Sequence, residues 1–215
     1  WALTGSYAAE GEWGATASVS RARTSDYGLT VTGAALAWSD RLEVSIARQD
    51  FNAADNLAPL GLRGLHLKQT IVAAKLRIAG EAVLDADTLM PQVALGLEAK
   101  RVDAAALNPT LTGALGAKRD GIDLYASATK LFLAPGVLVN GTLRLTKANQ
   151  NGLLGFGGAQ GSGYRLMPEV SVAWLANRHV AIGAEYRAKP DNLNRSVLGT
   201  GALKEDDWWD VFIAW

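Results

Sequence analysis

The sequence has no cysteine, only two histidines and no excess of either charge sign. A chain without cysteine has neither a disulfide framework nor a cysteine-based metal site. Its 21 basic and 21 acidic residues do not provide the positive charge that neutralises nucleic-acid phosphates. We therefore expect no nucleic-acid partner, and we expect neither a metal nor a cofactor.

Long apolar runs are also missing. The longest purely apolar stretches are only a few residues, as at 131–134, whereas a transmembrane helix needs about 20 such residues. No helical period emerges along the chain, although 49% of its residues are hydrophobic. These absences exclude a helical membrane protein and direct attention to strands.

Instead, apolar and polar residues alternate along the chain with a period of two residues. Val139, Leu143 and Leu145 occupy odd-numbered positions, while the polar residues Thr142 and Arg144 occupy even-numbered positions. Residues whose numbers have the same parity, odd or even, lie on the same face of a regular strand. The same alternation occurs in 41–49, 72–78 and 180–189. Successive strand side chains point to opposite faces, so each segment has one apolar and one polar face.

Strand length and connection length favour a membrane barrel over a soluble β-protein with a binding pocket. The alternating segments run about ten residues, which suits a tilted membrane crossing. Tight turns alternate with long connections, as outer-membrane barrels require. The tight turns are at Gly11, Asp40, Pro135 and 177–178, and the long connections are 51–66, 103–120, 149–163 and 190–206. Predicted strands are 1–10, 12–22, 27–39, 41–50, 67–79, 91–102, 121–133, 136–148, 164–177, 179–189 and 207–215.

The fold prediction is therefore all-β: a transmembrane antiparallel up-and-down β-barrel formed by one domain, residues 1–215. About eleven strands are visible, and an even number with both termini in the periplasm is usual, so we expect about 12–14 in the complete barrel. At least one further strand is expected before Trp1, and more are expected if the barrel continues after Trp215. The location implied is the outer membrane of a Gram-negative bacterium, with long loops extracellular and short turns periplasmic.

Aromatic residues collect near the predicted strand ends, as the two girdles of a membrane barrel do. The periplasmic girdle comprises Trp13, Trp174 and Trp215, and the extracellular girdle comprises Trp1, Tyr27, Tyr164, Tyr186, Trp208 and Trp209.

The predicted strand 27–39 does not keep the alternation of apolar and polar residues along its whole length. Leu29 and Val31 suit the lipid face, but Leu36 and Trp38 have the opposite parity. A bulge near Gly33 would return both to lipid; without it, Trp38 would point inward.

The charged residues on the polar faces of the predicted strands include nearly equal numbers of cations and carboxylates. The predicted lumen-lining residues are Arg41, Glu43, Lys75, Arg77, Glu98, Lys100, Asp123, Arg144, Arg165, Glu169, Glu185, Arg187 and Asp210. One interpretation is a polar lumen that passes small hydrophilic solutes with little ion selectivity. The other is an interior salt-bridge network that fills a narrow barrel.

Four basic residues have the parity of the apolar side chains and lie at the extracellular ends of strands that run toward the cell exterior: Arg21, Arg48, Arg101 and Lys147. At the outer rim such side chains can meet lipopolysaccharide phosphates. Ordinary solvation at strand ends is the alternative interpretation.

The loops and histidines offer little chemistry. Loop 149–163 places Leu153, Leu154 and Phe156 among glycines, and it either folds inward as a constriction or forms a flexible outer lid. The acidic run 205–207 suits either a divalent cation or a solvated loop end. His66 and His179 are expected at opposite sides of the membrane without a convincing Ser or Asp partner, so we expect no enzyme and no catalytic residue.

Several runs resemble a family of uncharacterised proteobacterial outer-membrane proteins, catalogued as a domain of unknown function. They are Ser127–Lys130, Gly152–Gly158, Ala184–Leu193 and Glu205–Trp215. The resemblance spans most of the chain and implies a longer parent chain with further strands. It implies no activity for particular residues.

The expected function is a narrow porin-like channel for small hydrophilic solutes. The alternative is a closed barrel that serves as a structural or interaction component, such as an anchor for another envelope protein. Outer-membrane lipid and lipopolysaccharide are the expected partners in either case.

Overall fold

The chain is mostly β in a computed structural model, which describes residues 8–55, 58, 61–83, 88–159, 161–194, 201 and 203–215. This part of the chain contains ten strands: β1 Trp13–Arg23, β2 Gly28–Trp38, β3 Leu42–Asn52, β4 His66–Ala79, β5 Gln92–Asp103, β6 Asp120–Phe132, β7 Val137–Thr146, β8 Arg165–Leu175, β9 Ala181–Arg187 and β10 Trp208–Ala214. Single helical turns lie in the β5–β6 connection at Ala105–Leu107 and Thr110–Ala114, and a tight turn with positive φ at Gln150 and Asn151 lies at Asn149–Gly152. No helix in the described ranges has the length and apolar character needed to cross a bilayer.

All ten strands form one antiparallel sheet in chain order from β1 to β10. Each strand pairs with its neighbour in sequence, and the register slips only once among the described pairs, between Arg77 and Ala79 of β4. β1 and β10 are the two edges, and the described residues show no hydrogen-bonded pairing between them.

Ten of the predicted strands are present, with ends displaced by a few residues. The remaining prediction, a strand over 1–10, falls mainly on residues 1–7, which lie outside the described residues. Residues 8–10 are not in a strand.

The connections divide the sheet into a long-loop end and a short-turn end. The long-loop end carries the described residues of the connections β1–β2, β3–β4, β5–β6, β7–β8 and β9–β10, and the short-turn end carries those of β2–β3, β4–β5, β6–β7 and β8–β9. The tightest hairpin has positive φ at both Ser39 and Asp40, the conformation of a two-residue turn that matches strand twist. The predicted alternation of short and long connections is present except at two places: 24–27, at the long-loop end, has only four residues, and 80–91, at the short-turn end, has twelve.

The two faces of the sheet are inverted relative to a soluble protein. One face, here called the apolar face, exposes large hydrophobic side chains along every strand, such as Val19, Ile46, Leu97, Leu143 and Val211. The opposite, polar face buries charged and hydroxyl side chains, including Glu43, Lys100, Asp123 and Thr142. Soluble chains rarely expose so continuous an apolar surface.

The predicted bulge near Gly33 is wrong. The pairing of β2 with β1 and with β3 runs through Gly33 without a shift. The expectation that Trp38 would point inward without a bulge is also wrong: Trp38 is exposed on the apolar face beside Trp13, whose ring centroid is 6.4 Å away. Leu29 and Val31 have the opposite parity and lie on the polar face.

Buried apolar side chains concentrate beneath the long loops. One cluster joins Ala53, Leu65 and Leu67 with Ala104, and a second joins Val102, Leu111 and Ala117. Leu154 packs against both clusters. The hydrophobic core thus covers one end of the polar face, and the middle of that face stays polar.

Candidate functional site

A network of ion pairs crosses the polar face from β5 to β9, with Arg144 of β7 at its centre. The Arg144 guanidinium donates to Glu169 on β8 at 2.7 Å and to Glu98 on β5 at 2.8 Å. Glu169 also accepts from Arg187 on β9, at 3.2 Å. These contacts arise because residues of one parity on adjacent strands share a face.

In the same network, Lys100 offsets the repulsion between two neighbouring carboxylates. Glu98 and Asp123 are directly opposite each other on β5 and β6, a placement that is unfavourable for two carboxylates. The Lys100 ammonium lies 2.8 Å from Glu98 and 2.7 Å from Asp123. Asp123 is also the acceptor of the Thr146 hydroxyl, at 2.5 Å, so this buried carboxylate is held by two donors.

The network borders a polar cavity of about 460 Å³. Residues of all strands from β3 to β10 line it, from Glu43 on β3 to Trp208 on β10. Neighbouring strands lie about 4.8 Å apart, so a flat sheet would not bring β3 and β10 to one cavity. The sheet is therefore strongly curved, with its polar face on the concave side.

Charge in the cavity is nearly balanced. Its titratable lining consists of the carboxylates Glu43, Glu98, Glu169 and Glu185, the cations Lys75, Arg144 and Arg187, and Tyr125. Lys75 is paired with Glu43 at 3.1 Å. The ring of Tyr125 covers Gly96 and lies beneath the Arg144 guanidinium, 5.3 Å from the ring centroid.

The β7–β8 loop (147–164) folds inward over the long-loop end of this concave face. Phe156 is 1% exposed, and its ring occupies the space above Gly121 of β6. Gln69 of β4 donates to the carbonyl of Asn151 at 3.3 Å. Of the two predicted arrangements, the inward fold is the one present.

The β9–β10 loop (188–207) fastens this inward loop. Both carboxylate oxygens of Glu205 accept from the Gln150 backbone N–H, at 2.8 and 2.9 Å, and Asn192 donates to Asn149 at 3.0 Å. Gln150 and Asn151 have positive φ, a strained conformation for residues other than glycine. Burial raises the pKa of Glu205 to about 7, against the opposing effects of the Gln150 N–H and Lys189.

The predicted lumen residues fall into two groups. Nine meet on the concave face: Glu43, Lys75, Glu98, Lys100, Asp123, Arg144, Glu169, Glu185 and Arg187. The other four lie toward its margins. Arg77 pairs with Asp40 and Glu81 near the short-turn end, Arg41 and Arg165 are exposed at strand starts, and Asp210 is exposed on the edge strand β10.

The four predicted rim cations all have apolar-face parity at the long-loop end. Arg21, Arg48 and Arg101 are exposed, and Arg101 lies 3.5 Å from Asp120. The Lys147 ammonium lies 4.9 Å from the ring centroid of Tyr164. The sequence did not single out Lys118, which lines the same outer groove as Arg101 and Lys147.

The predicted aromatic girdles need two corrections. Trp208 lines the cavity because it lies on the same face of β10 as Asp210. The Arg187 guanidinium is 5.6 Å from the centroid of its ring. Trp38 joins the exposed aromatics of the short-turn end, where Trp13, Trp174 and Trp215 also lie. Tyr27, Tyr164, Tyr186 and Trp209 are exposed at the long-loop end, and Trp1 lies outside the described residues.

His66 has an acidic partner that sequence reasoning missed. Its Nδ1 lies 2.5 Å from Asp50 of β3, because β3 and β4 pair with Asn52 opposite His66. Antiparallel register, rather than spacing in the sequence, brings these two residues together. His66 and His179 lie at opposite ends of the sheet, as predicted.

The three carboxylates of the acidic run 205–207 contact separate partners and do not come together at one site. Glu205 binds the Gln150 N–H, Asp206 pairs with Lys204, and Asp207 accepts from Tyr186 at 2.6 Å, which lowers the pKa of that carboxyl. No group of three or more metal-ligating side chains occurs within the described ranges. Glu205 is 7% exposed, so the expectation of a solvated loop end is wrong for this residue.

The contacts of Phe156 with Gly121 and of Tyr125 with Gly96 were also missed. In each pair an aromatic ring occupies the space that a glycine leaves open. Isolated glycines inside strand patterns are the sequence signal for such close approach.

A search of curated proteins and a search of solved structures each found no match to this chain. A family model matches it over residues 1–215, with the description "Protein of unknown function (DUF3034)". Because the match covers the full length, the chain belongs to the DUF3034 family.

Proposed function

We propose that this chain forms the wall of a transmembrane β-barrel in a Gram-negative outer membrane and acts as a narrow, porin-like channel for small hydrophilic solutes. The observation that carries the proposal is the inversion of the two faces. Buried ion pairs lie on the concave side, and a continuous apolar surface lies on the convex side. Lipid satisfies such a convex surface, and water or polar solutes satisfy such a concave one.

Strand dimensions support a membrane crossing. An 11-residue strand such as β3 extends about 35 Å at roughly 3.3 Å per residue. Tilted by about 45°, it spans the roughly 25 Å apolar band of an outer-membrane barrel. Exposed aromatics at both strand ends, Trp13 at one and Trp209 at the other, suit its two interfaces.

Closure is part of the proposal. With ten strands in alternating directions, β1 and β10 are antiparallel to each other, as closing strands of a barrel are. They close the barrel directly or through added strands, which would give the 12–14 expected from the sequence. The long loops then face the cell exterior and the short turns face the periplasm.

The transport path is the polar cavity beneath the inward β7–β8 loop. Its paired charges allow passage of small polar solutes with weak ion preference. The inward loop, held by Phe156 and Glu205, narrows the outer mouth. The rim cations Arg21, Arg48, Arg101 and Lys147 face lipopolysaccharide phosphates. No catalytic step is part of this proposal.

A closed barrel with a structural or anchoring role is the second candidate, and the same inward loop favours it. The buried Phe156 and the interlocked ion pairs fill much of the space that a solute would need. In that case the exposed loops, rather than the cavity, would meet an envelope protein partner.

The test is single-channel conductance of the purified protein in planar bilayers, with heat-modifiable gel migration as the folding control. Discrete conductance steps, enlarged when residues 149–158 are replaced by a short Gly-Ser turn, support the channel. A folded protein that conducts neither with nor without this loop overturns the channel in favour of the closed barrel. A protein that stays soluble without detergent and shows no heat-modifiable migration contradicts the membrane placement itself.

A further inference from the structure

A groove of about 570 Å³ opens on the apolar face at the long-loop end. Val72 and Ile122 form its apolar floor, Tyr164 forms one wall, and Arg101, Lys118 and Lys147 line its upper part. The three cations come from different parts of the chain: Arg101 from β5, Lys118 from the residues preceding β6, and Lys147 from the residue following β7. Strand order brings them together.

The charge of this groove is positive. Asp120 is the one carboxylate in its lining, and it lies 3.5 Å from Arg101 in an exposed pair, which binds weakly. Lys100 also reaches the groove, but its ammonium is engaged by Glu98 and Asp123 on the polar face. Stacking of Lys147 on Tyr164 holds that ammonium at the groove wall.

The floor shows what kind of anion suits this site. Val72 is 51% exposed and Ile122 is 49% exposed, and both continue into the apolar face below. A free anion gains nothing from such a floor, whereas an amphipathic anion places its charged group on the cations and its hydrocarbon along the strands. This combination of basic rim and apolar floor is that of lipid headgroup sites.

We infer that this groove binds one phosphorylated lipid of the outer leaflet, with its phosphate on Arg101, Lys118 and Lys147 and an acyl chain along Val72 and Ile122. The inference rests on the proposed function, since it requires the apolar face to meet lipid. It goes further in assigning one discrete site on β4–β7 instead of a uniform collar. Arg21 and Arg48 do not line the groove, although they lie at the same end of the sheet.

The matched variants follow from this geometry. The groove variant is Arg101→Gln, Lys118→Gln and Lys147→Gln. The control variant is Arg23→Gln and Arg178→Gln, two exposed cations that belong neither to the groove nor to the rim set. Each protein is folded into micelles of an uncharged detergent, and folding is verified by heat-modifiable migration. Diphosphoryl lipid A is then titrated and binding is measured by native mass spectrometry. Dephosphorylated lipid A and inorganic phosphate are titrated in parallel.

The wild type is expected to bind one diphosphoryl lipid A tightly and the dephosphorylated lipid weakly. The groove variant should lose about a hundredfold in affinity, from three surface cations, and the control variant should change by less than about threefold. Equal losses in the two variants, or no loss in the groove variant, overturn the discrete site. Competition by inorganic phosphate at the affinity of the lipid overturns the lipid as occupant. A wild type that does not fold in detergent contradicts the proposed membrane barrel instead, so the two failures are distinguishable.

Discussion

The ring of Phe156 lies so close above Gly121 that a Cβ at position 121 would be 2.1 Å from Cδ1 of the ring. This contact ties the middle of the β7–β8 loop to the polar face of β6. The backbone of Gly121 does not need a positive φ, so the space for Phe156 is what requires glycine at this position.

Gly121→Ala is therefore expected to displace the loop while leaving the sheet intact. Overpacking of this kind costs about 1–3 kcal/mol, so we expect chymotrypsin to cleave between residues 153 and 157 roughly tenfold faster in folded protein. Gly141→Ala is the matched control, because no heavy atom lies within 4 Å of the added Cβ. Unchanged cleavage in the Gly121 variant would show that Phe156 does not hold the loop.

Docking of the β7–β8 loop should weaken as the pH rises through neutrality. The pKa of Glu205 is about 7 when the loop is docked, against an ordinary value of 4.5, because burial disfavours its charged form. Asp191 raises this pKa further, while Lys189 and the Gln150 N–H oppose the shift. The docked state therefore binds the proton more tightly, and its stability is greatest below pH 4.5 and declines as pH rises through about 7, by at most roughly 3 kcal/mol.

Hydrogen exchange at Gln150 and Asn151 measures this dependence. We expect stronger protection at pH 5.5 than at pH 8, after correction for intrinsic exchange, and loss of most of the difference in Glu205→Gln. Asp206→Gln is the control, since Asp206 pairs with Lys204 and not with the docked loop. Protection that is independent of pH in the wild type would exclude this proton linkage.

The apolar face should not accept a charge at mid-height. Ile46 is 55% exposed near the middle of β3, so Ile46→Arg should destabilise the protein folded in a bilayer by about 2–4 kcal/mol. Thr30→Arg, on the same face beside Arg21 at the long-loop end, should cost no more than about 1 kcal/mol. Denaturant titration in lipid vesicles gives both values, and equal costs would argue against a membrane-depth profile on this face.

Ion preference should follow the charge of the cavity lining. Arg144→Met leaves the carboxylates of Glu98 and Glu169 without their central cation, so the channel should become more cation-selective. Glu169→Gln should shift selectivity the other way. Reversal potentials in a salt gradient report both changes, and Arg178→Met in the exposed β8–β9 turn should leave them unaltered. Identical shifts in the Arg144 and Glu169 variants would place the conducting path elsewhere.

Arg144→Met also tests how far the ion pairs stabilise the fold. Removal of one partner from a buried network leaves uncompensated charge and typically costs about 3–5 kcal/mol. The double change Arg144→Met with Glu169→Gln should be less destabilising than the sum of the single changes, because each loss removes a partner of the other. Additive losses in denaturant titrations would indicate that the two side chains act independently.

Local alternation was enough to predict the strands and their faces. In β7, Val139 and Leu143 lie on one face and Thr142 and Arg144 on the other, as the period of two requires. The same rule failed when apolar residues changed parity within β2. The prediction of a bulge depends on placing Leu29 and Val31 on the lipid face, whereas apolar side chains are also accepted on the concave face, where these two residues lie.

Contacts between distant residues could not be predicted in the same way. The bond from Glu205 to the Gln150 N–H joins two loops 55 residues apart, and it depends on curvature that no short window encodes. The pairing of His66 with Asp50 depends on the register between β3 and β4. Trp208 was misassigned because proximity to a strand end says nothing about which face a side chain occupies.

The meander order of the sheet also has a consequence for how the chain folds. Every ladder joins strands that follow each other in sequence, so the backbone pairing is local in the chain, and local contacts form at low entropic cost. From β1 to β10 the sheet can grow one hairpin at a time in either direction, and only the proposed closure of the barrel would require a partner that is distant in sequence. The ion pair of Arg144 with Glu169 joins neighbouring strands, whereas the pair with Glu98 spans β5 to β7. The complete set therefore requires the four consecutive strands β5 to β8, and it reports on the middle stage of assembly.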